Sequence, residues 1–229
     1  LGITGLDWIE ERGASVKQVG DLGFSKQGWG DVRIVLATDK DRTEVEAPED
    51  IEERSRVVTE YPGLTRRFLD ECGKQELHVE ESCGATEVKV PRLAEYLVDI
   101  TETGETLKQN GKKILATLLI SSTKLIANGS SWADRRRQEA IQEIFDLLQG
   151  VIQAQGKRLI KMNAQEKDVE QLLDCLPALC SPTVVQLSEP GWVMIETVVA
   201  REDLNPLLSE LKKRGARDIL KMDISKMMR

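Results

Sequence analysis

The chain has 229 residues, 40% of them hydrophobic and 31% charged, which is enough for one large or two small globular domains with a sizeable core. Its formal net charge of −7 argues against nucleic acid or an acidic membrane surface as the default partner, although a local positive pocket can still bind a small anion. The longest apolar run, Ile114–Ile120, has the length of a strand and falls well short of the ~18 residues of a membrane span.

The N-terminal residues and the cysteines indicate a cytoplasmic chain with reduced thiols. Acids in "LGITGLDWIEERG" occupy the place of a signal peptide's basic region, so secretion is not indicated. The chain begins at Leu1 inside a pattern typical of a buried strand, so we expect a further segment ahead of it. Cys72, Cys83, Cys175 and Cys180 form no disulfide framework. Cys72, His78 and Cys83 fit no recognised zinc spacing, which favours structural thiols and a surface histidine over a metal site.

Strand and helix patterns alternate up to Asn128. The predicted strands are Asp31–Thr38, Val57–Thr59, "LHVEES", Tyr96–Ile100 and the stretch "KKILATLLISSTKLIAN". Between them, "LTRRFLDECG" is typical of a helix that Gly73 ends. This alternation predicts an α/β domain with a mainly parallel sheet.

From Ala133 onward the pattern becomes helical. Asp134 is a plausible N-cap, and the run Arg135–Arg137 can contact a phosphate or, more simply, face solvent. After Gly156 the order β-α-β-β-α-β predicts a ferredoxin-like module, with a hairpin through "SEPG". That fold hosts many functions, so it does not identify one.

The stretch "LVDITETGETLKQNG" places an acid at a strand end before a turn rich in threonine and glycine. Asp99 would lie at the carboxyl edge of the sheet, where open α/β sheets bind ligands. Thr103, Gly104 and Thr106 supply hydroxyl and amide donors suited to phosphate. From these residues alone, a phosphate loop and a capped, solvent-facing turn both remain open.

Several motifs in one order resemble a known family. "GITGLDW", "TEYPGLTRRF", "GATE", "VDITETGETLKQNG" and "KLIAN" follow one another as in ATP phosphoribosyltransferase, and "ALCSPTVVQL", "GWVMIETVV" and "GARDILKMDISKMM" resemble the C-terminal module of its long form. The resemblance implies transfer of phosphoribosyl from phosphoribosyl pyrophosphate to N1 of ATP with Mg²⁺, inhibited by histidine. It also implies a two-lobed α/β catalytic part similar to periplasmic binding proteins, followed by the ferredoxin-like domain.

The resemblance divides the chain into four parts. Residues 1–30 would be the remainder of a first lobe that is incomplete here, residues 31–120 the second lobe, residues 121–155 the return with a long helix, and residues 156–229 the histidine-sensing domain. A basic, glycine-containing loop that normally precedes "GITG" in the family is absent from this sequence.

The resemblance also assigns binding residues. Phosphoribosyl pyrophosphate would meet Asp99, Glu102, Thr103, Gly104, Thr106 and Leu107, with Asp99 also the candidate metal ligand. ATP would meet Gly2, Thr4, Gly5 and Asp7. Arg66 and Arg67 are candidate countercharges, or surface residues of a helix.

Histidine would meet Asn163, Leu179, Ser181, Thr183 and Thr197 in the C-terminal module. Members of the long form assemble as dimers and hexamers, so the resemblance implies a homo-oligomer. The alternative reading is a non-catalytic histidine-binding regulatory protein or an anion-binding protein of the same fold.

Overall fold

The computed structural model describes residues 1–25, 28–82, 84, 86–177 and 181–228, and it divides into two compact units, Leu1–Gln142 and Glu143–Arg229. The α-helices of the described residues are α1 (Leu6–Arg12), α2 (Pro62–Glu71), α3 (Glu105–Gln109), α4 (Gly129–Ala133), α5 (Arg135–Gln155), α6 (Val169–Leu173) and α7 (Leu204–Lys213). Their β-strands are β1 (Gly2–Gly5), β2 (Lys17–Asp21), β3 (Phe24–Ser25), β4 (Gly28–Trp29), β5 (Val32–Asp39), β6 (Arg56–Thr59), β7 (His78–Glu81), β8 (Tyr96–Thr101), β9 (Lys112–Ser121), β10 (Thr123–Ala127), β11 (Lys157–Gln165), β12 (Thr183–Gln186), β13 (Trp192–Ala200) and β14 (Arg217–Asp223). The α/β class predicted from the sequence is confirmed.

Two larger sheets build the first unit. One has the order β1-β10-β2 and is antiparallel, and the other has the order β7-β6-β8-β5-β9. In the second sheet β6 runs parallel to β7 and β8, but β5 runs antiparallel to both β8 and β9. Four strands of this sheet therefore point the same way, and the prediction of a mainly parallel sheet fails at β5, which runs against its neighbours, and for the antiparallel three-stranded sheet. Local alternation of strand and helix does not encode strand direction, which depends on the route that each connection takes.

β5 is the central apolar strand of the first unit, as its sequence predicts. Ile34 and Leu36 are fully buried in one cluster, and Val35 and Ala37 are fully buried in a second cluster on the opposite face. A strand covered on both faces has a continuous apolar sequence, which is why the run at residues 34–37 was recognisable.

Helix α1, which follows β1, contacts the start of α2 through one side chain. The carboxylate of Glu11 accepts hydrogen bonds from Gly63 N at 2.9 Å and Leu64 N at 2.7 Å, the free amides at the start of α2. α2 begins at Pro62, where the missing N–H of proline costs nothing. Gly73, with φ +72°, follows its C-terminus as predicted.

The second unit contains the ferredoxin-like module, which is confirmed. Its antiparallel sheet has the order β12-β13-β11-β14, and residues of α6 and α7 share a core cluster with those of β11 and β13. Ile160, Ile195, Leu172 and Leu211 are fully buried there. The predicted N-cap of the long helix α5 is also confirmed, because Asp134 Oδ1 accepts a hydrogen bond from Arg137 N at 2.9 Å.

In the described ranges, no helix combines the length and the apolar character that crossing a bilayer needs.

Candidate active site

A polar cavity lies at the carboxyl ends of the parallel strands β7, β6 and β8. It has a volume of about 270 Å³. The residues that line it are Glu60, Gly84, Thr86, Glu87, Asp99, Ile100, Thr101, Glu102, Thr103, Thr106 and Leu107. Five of the six residues predicted for phosphoribosyl pyrophosphate line it, all from the end of β8 and the segment that follows. Because parallel strands end at one edge of a sheet, this segment lies beside Glu60, which follows β6, and Glu87, which comes after β7.

The sixth, Gly104, shapes the loop and is not among the lining residues. It has φ +85° and ψ −1°, and its N–H donates to Thr101 Oγ1 at 2.9 Å. Thr103 and Thr106 are exposed, Glu105 also faces solvent, and the Leu107 side chain is buried in a core cluster. The threonine hydroxyls and the Leu107 backbone can contact a ligand, but the Leu107 side chain serves packing.

The polar cavity is acidic. Of the described residues that line it, four are carboxylates and none is lysine or arginine. Burial raises the pKa of Asp99, and the negative charges of Glu87 and Glu60 raise it further. Hydrogen bonds from Ile100 N and the Thr86 hydroxyl lower the pKa and offset part of this rise. A polyanion therefore needs an accompanying cation to enter this cavity.

A second cavity, also of about 270 Å³, is more apolar and aromatic. Its lining residues are Gly5, Asp7, Trp8, Val32, Glu60, Tyr61, Ile100, Ser121, Ser122 and Thr123. The rings of Trp8 and Tyr61 lie 5.4 Å apart with an interplanar angle of 47°, and Arg12 lies over Trp8. An aromatic wall with apolar residues behind it suits a planar heterocycle such as a nucleobase.

Of the residues predicted for ATP, Gly5 and Asp7 line this cavity, whereas Gly2 and Thr4 are not among its lining residues. Gly2 and Thr4 pair with β10 at Ile126 and Lys124. Asp7 is only 5% exposed, and both its carboxylate oxygens already accept hydrogen bonds, from Ser121 and Tyr61. A Cβ built on Gly5 would collide with Asp7 Oδ1, so glycine leaves room for that carboxylate.

The two cavities adjoin, because Glu60 and Ile100 line both. Sequence reasoning missed Glu60, Tyr61, Thr86, Glu87 and Ser121. Glu60 directly follows β6 and could have been found from its place after a predicted strand. Tyr61 and Ser121 gave no comparable signal.

Arg66 and Arg67 line neither cavity. Their guanidinium groups donate to backbone carbonyls, of Val79 at 3.2 Å and of Glu10 at 2.5 Å. Of the possible zinc residues, Cys72 is a half-buried free thiol and His78 is exposed, and Cys83 lies outside the described residues.

The residues predicted for histidine lie on different sides of the C-terminal sheet. Thr183 opposes Glu196, and Asn163 shares that sheet face and donates to Asp218 at 3.1 Å. Thr197 lies on the other face with Val193 and Ile195, where its hydroxyl is buried without a hydrogen-bond partner in the described part of the chain. Ser181 is exposed before β12, and Leu179 lies outside the described residues.

Comparison with known proteins covers the whole chain. A family model described as ATP phosphoribosyltransferase matches residues 1–150, and one described as HisG, C-terminal domain, matches residues 154–226. The ATP phosphoribosyltransferase of Chlorobium phaeovibrioides is 43% identical over 228 residues, which are 100% of this chain and 76% of that protein. That of Desulforudis audaxviator is 40% identical over 227 residues, covering 99% of this chain and 78% of that protein.

A solved structure supports the same relationship. The ATP phosphoribosyl transferase (HisG:HisZ) complex from Thermotoga maritima matches with a TM-score of 0.53 and 28% identity, over 62% of this chain and 68% of the matched chain. With a family model over most of the chain and relatives above 40% identity, the protein belongs to the ATP phosphoribosyltransferase family, whose members are glycosyltransferases.

Proposed function

We propose that this protein transfers the phosphoribosyl group of phosphoribosyl pyrophosphate to N1 of ATP and releases pyrophosphate, the first step of histidine biosynthesis. The observation that carries the proposal is the pair of adjoining cavities, one polar with exposed threonines and one aromatic, which share Glu60 and Ile100. Phosphoribosyl pyrophosphate would occupy the polar cavity and the adenine of ATP the aromatic one.

The shared wall is where the two substrates would react. The bond from adenine N1 to ribose C1 forms there, and the bond from C1 to the pyrophosphate oxygen breaks. Positive charge develops on the ribose and then on the adenine ring, and the Glu60 carboxylate at the junction can stabilise it. Holding the two substrates in adjoining cavities supplies the proximity that such a transfer needs, without a covalent nucleophile.

Mg²⁺ fits the donors of the polar cavity. Carboxylate oxygens are the ligands that Mg²⁺ takes, and Asp99 with Glu102 would hold the ion together with substrate oxygens. Within the described ranges no three acidic, cysteine or histidine side chains come together as a metal site of their own, so substrate oxygens and water would supply the other ligands. When bound, the ion neutralises charge on the departing pyrophosphate.

The test is a titration of the protein with phosphoribosyl pyrophosphate and Mg²⁺ by calorimetry, with a parallel assay of pyrophosphate release on addition of ATP. Thr103→Ala/Thr106→Ala should weaken binding roughly 100-fold, because each hydroxyl bond to a charged phosphate contributes about 1.5 kcal/mol. The control Thr43→Ala/Thr117→Ala removes two exposed threonines that line neither cavity, and should bind normally. Equal affinity in both double variants, or no pyrophosphate release by the unaltered protein, would overturn the proposal.

We further propose that histidine inhibits the enzyme through the C-terminal module. The buried Thr197 hydroxyl without a partner in the described chain and the match of residues 154–226 to the family's C-terminal domain support this proposal. Asn163→Ala and Thr197→Val should each raise the inhibitory histidine concentration about tenfold, the value of one hydrogen bond, with uninhibited turnover unchanged. Inhibition equal to that of the unaltered protein in both variants would exclude these residues, and no inhibition in the unaltered protein would exclude the site.

The remaining parts of the proposal are a cytoplasmic location and a homo-oligomer, a dimer that packs into hexamers. The complex formed by the Thermotoga maritima relative supports assembly in the family without specifying the number of copies. The alternative, a non-catalytic regulatory or anion-binding protein, predicts substrate binding without pyrophosphate release.

A further inference from the structure

Asp7 is a buried carboxylate whose hydrogen-bond donors are neutral hydroxyls. Oδ1 accepts from the Ser121 hydroxyl at 2.6 Å and Oδ2 accepts from the Tyr61 hydroxyl at 3.0 Å. Ser121 Oγ in turn accepts from Asp7 N at 3.0 Å. A buried carboxyl group costs stability unless it is hydrogen-bonded, so these contacts hold the Asp7 side chain in one position.

The three residues come from distant parts of the first unit. Asp7 lies in α1 directly after β1 of the three-stranded sheet, Tyr61 follows β6, and Ser121 ends β9 of the five-stranded sheet. The carboxylate therefore joins both sheets at the aromatic cavity, which all three residues line.

Tyr61 is fixed by hydrogen bonds from both its side-chain hydroxyl and its backbone N–H. Its hydroxyl donates to Asp7, and its backbone N–H donates to Thr59 Oγ1 at 2.9 Å. Burial and the Asp7 charge raise the pKa of Tyr61 far above its ordinary value, so the hydroxyl keeps its proton at physiological pH. Because Glu60 precedes Tyr61 directly, fixing Tyr61 also fixes the wall that the two cavities share.

We propose that Asp7 is a positioning residue, which holds Tyr61 and thereby Glu60 and Trp8 at the junction of the two cavities, and does not itself contact ATP. The inference rests on the proposed function, in which the base of ATP occupies the aromatic cavity. The alignment of adenine N1 with ribose C1 then depends on this hydrogen-bonded cluster, since small displacements of reacting groups are costly in rate.

A double-mutant cycle of Asp7→Asn and Tyr61→Phe tests the inference. Each single variant should lower kcat about tenfold and leave KM for ATP within about twofold, because alignment is lost rather than affinity. In the Tyr61→Phe background, Asp7→Asn should change kcat by less than about twofold, because the connection is already broken. Fully additive effects would show that Asp7 does not act through Tyr61, and a raised KM for ATP with unchanged kcat would show that Asp7 binds ATP directly; either result would overturn the inference.

Tyr96→Phe is the matched control. Tyr96 is fully buried in the same unit and lines neither cavity. Loss of the Tyr96 hydroxyl should leave kcat unchanged. An effect of Tyr96→Phe as large as that of Tyr61→Phe would show general sensitivity of the core and also contradict the inference.

Amide hydrogen exchange in the unliganded protein tests the anchoring without any assay of turnover. Asp7→Asn and Tyr61→Phe should each accelerate exchange at residues 61 and 63–64, and Tyr96→Phe should not. Unchanged exchange overturns the positioning role even if the enzyme is active. The two proposals can therefore fail separately. If the unaltered protein transfers no phosphoribosyl group but the variants show the expected change in exchange, the proposed function is overturned and the anchoring role stands.

Discussion

Replacing Gly104 by alanine should reduce phosphoribosyl transfer on the order of 100-fold while costing about 1–2 kcal/mol of folding stability. Gly104 adopts φ +85°, a region that a Cβ disfavours, and a Cβ there would lie 3.2 Å from Ile114 Cδ1. Relief of the strain at this positive φ should shift the loop whose Thr103 and Thr106 line the polar cavity. Turnover, calorimetric affinity for phosphoribosyl pyrophosphate and the urea midpoint should be measured together.

Gly73→Ala separates backbone strain from the effect on the site. Gly73 has φ +72° and an added Cβ would have no heavy atom within 4 Å, so the variant carries similar strain away from both cavities. It should lose comparable stability and keep full activity. If Gly73→Ala and Gly104→Ala lose activity to the same extent, the loss reflects reduced stability alone, and the prediction that the Gly104 loop binds phosphoribosyl pyrophosphate is wrong.

Asp39→Ala should lower the free energy of unfolding by about 3 kcal/mol, because it leaves the Lys112 ammonium buried without its partner. Lys112 Nζ lies 3.0 Å from Asp39 Oδ2, and the two side chains are 4% and 18% exposed. The residues face each other across β5 and β9. Urea unfolding at neutral pH measures the loss.

The control is the exposed pair Arg54–Glu76, at 4.0 Å with side-chain exposures of 83% and 65%. Glu76→Ala should change stability by less than about 0.5 kcal/mol. Asp39→Ala/Lys112→Met, which removes both charges, should recover most of the loss. A double variant as unstable as Asp39→Ala would show that the stranded charge is not the cause.

The buried pair of Asp39 and Lys112 also predicts how the stability of the protein depends on pH. The N–H of Asp41, and after it the Lys112 ammonium, lower the pKa of Asp39 below its ordinary value, against the effect of burial. A lowered folded-state pKa gives stability that is complete above the unfolded-state value and is lost as the pH falls through the folded-state value. The stability difference between the unaltered protein and Asp39→Ala should therefore shrink below about pH 4.

Features that depend on neighbours in the chain could be predicted from the sequence. The end of α2 at Gly73, the N-cap at Asp134, the buried run of β5 and the order of elements in the C-terminal module all follow from local conformational preference and hydropathy. The threonine and glycine turn after β8 was likewise recognisable as a candidate site. Resemblance to a family supplied what local patterns cannot, the identities of the substrates.

Features that depend on long-range contact could not be predicted in this way. Asp7 and Tyr61 are 54 residues apart, Asp7 and Ser121 are 114 apart, and neither pairing has a local signature. The direction of β5, which runs antiparallel to both of its neighbours β8 and β9, was also missed.

The sequence by itself determined most of the strands and helices after residue 30 and their order, the family and the loop that lines the polar cavity, because these arise from interactions within a few residues or from motifs preserved in order. Only the tertiary structure decided the strand directions, the acidic character of the cavity, the shared wall at Glu60 and Ile100, and the engagement of both Asp7 oxygens. Those features arise where the folded chain brings distant segments together, and the burial that follows sets their hydrogen bonding and charge.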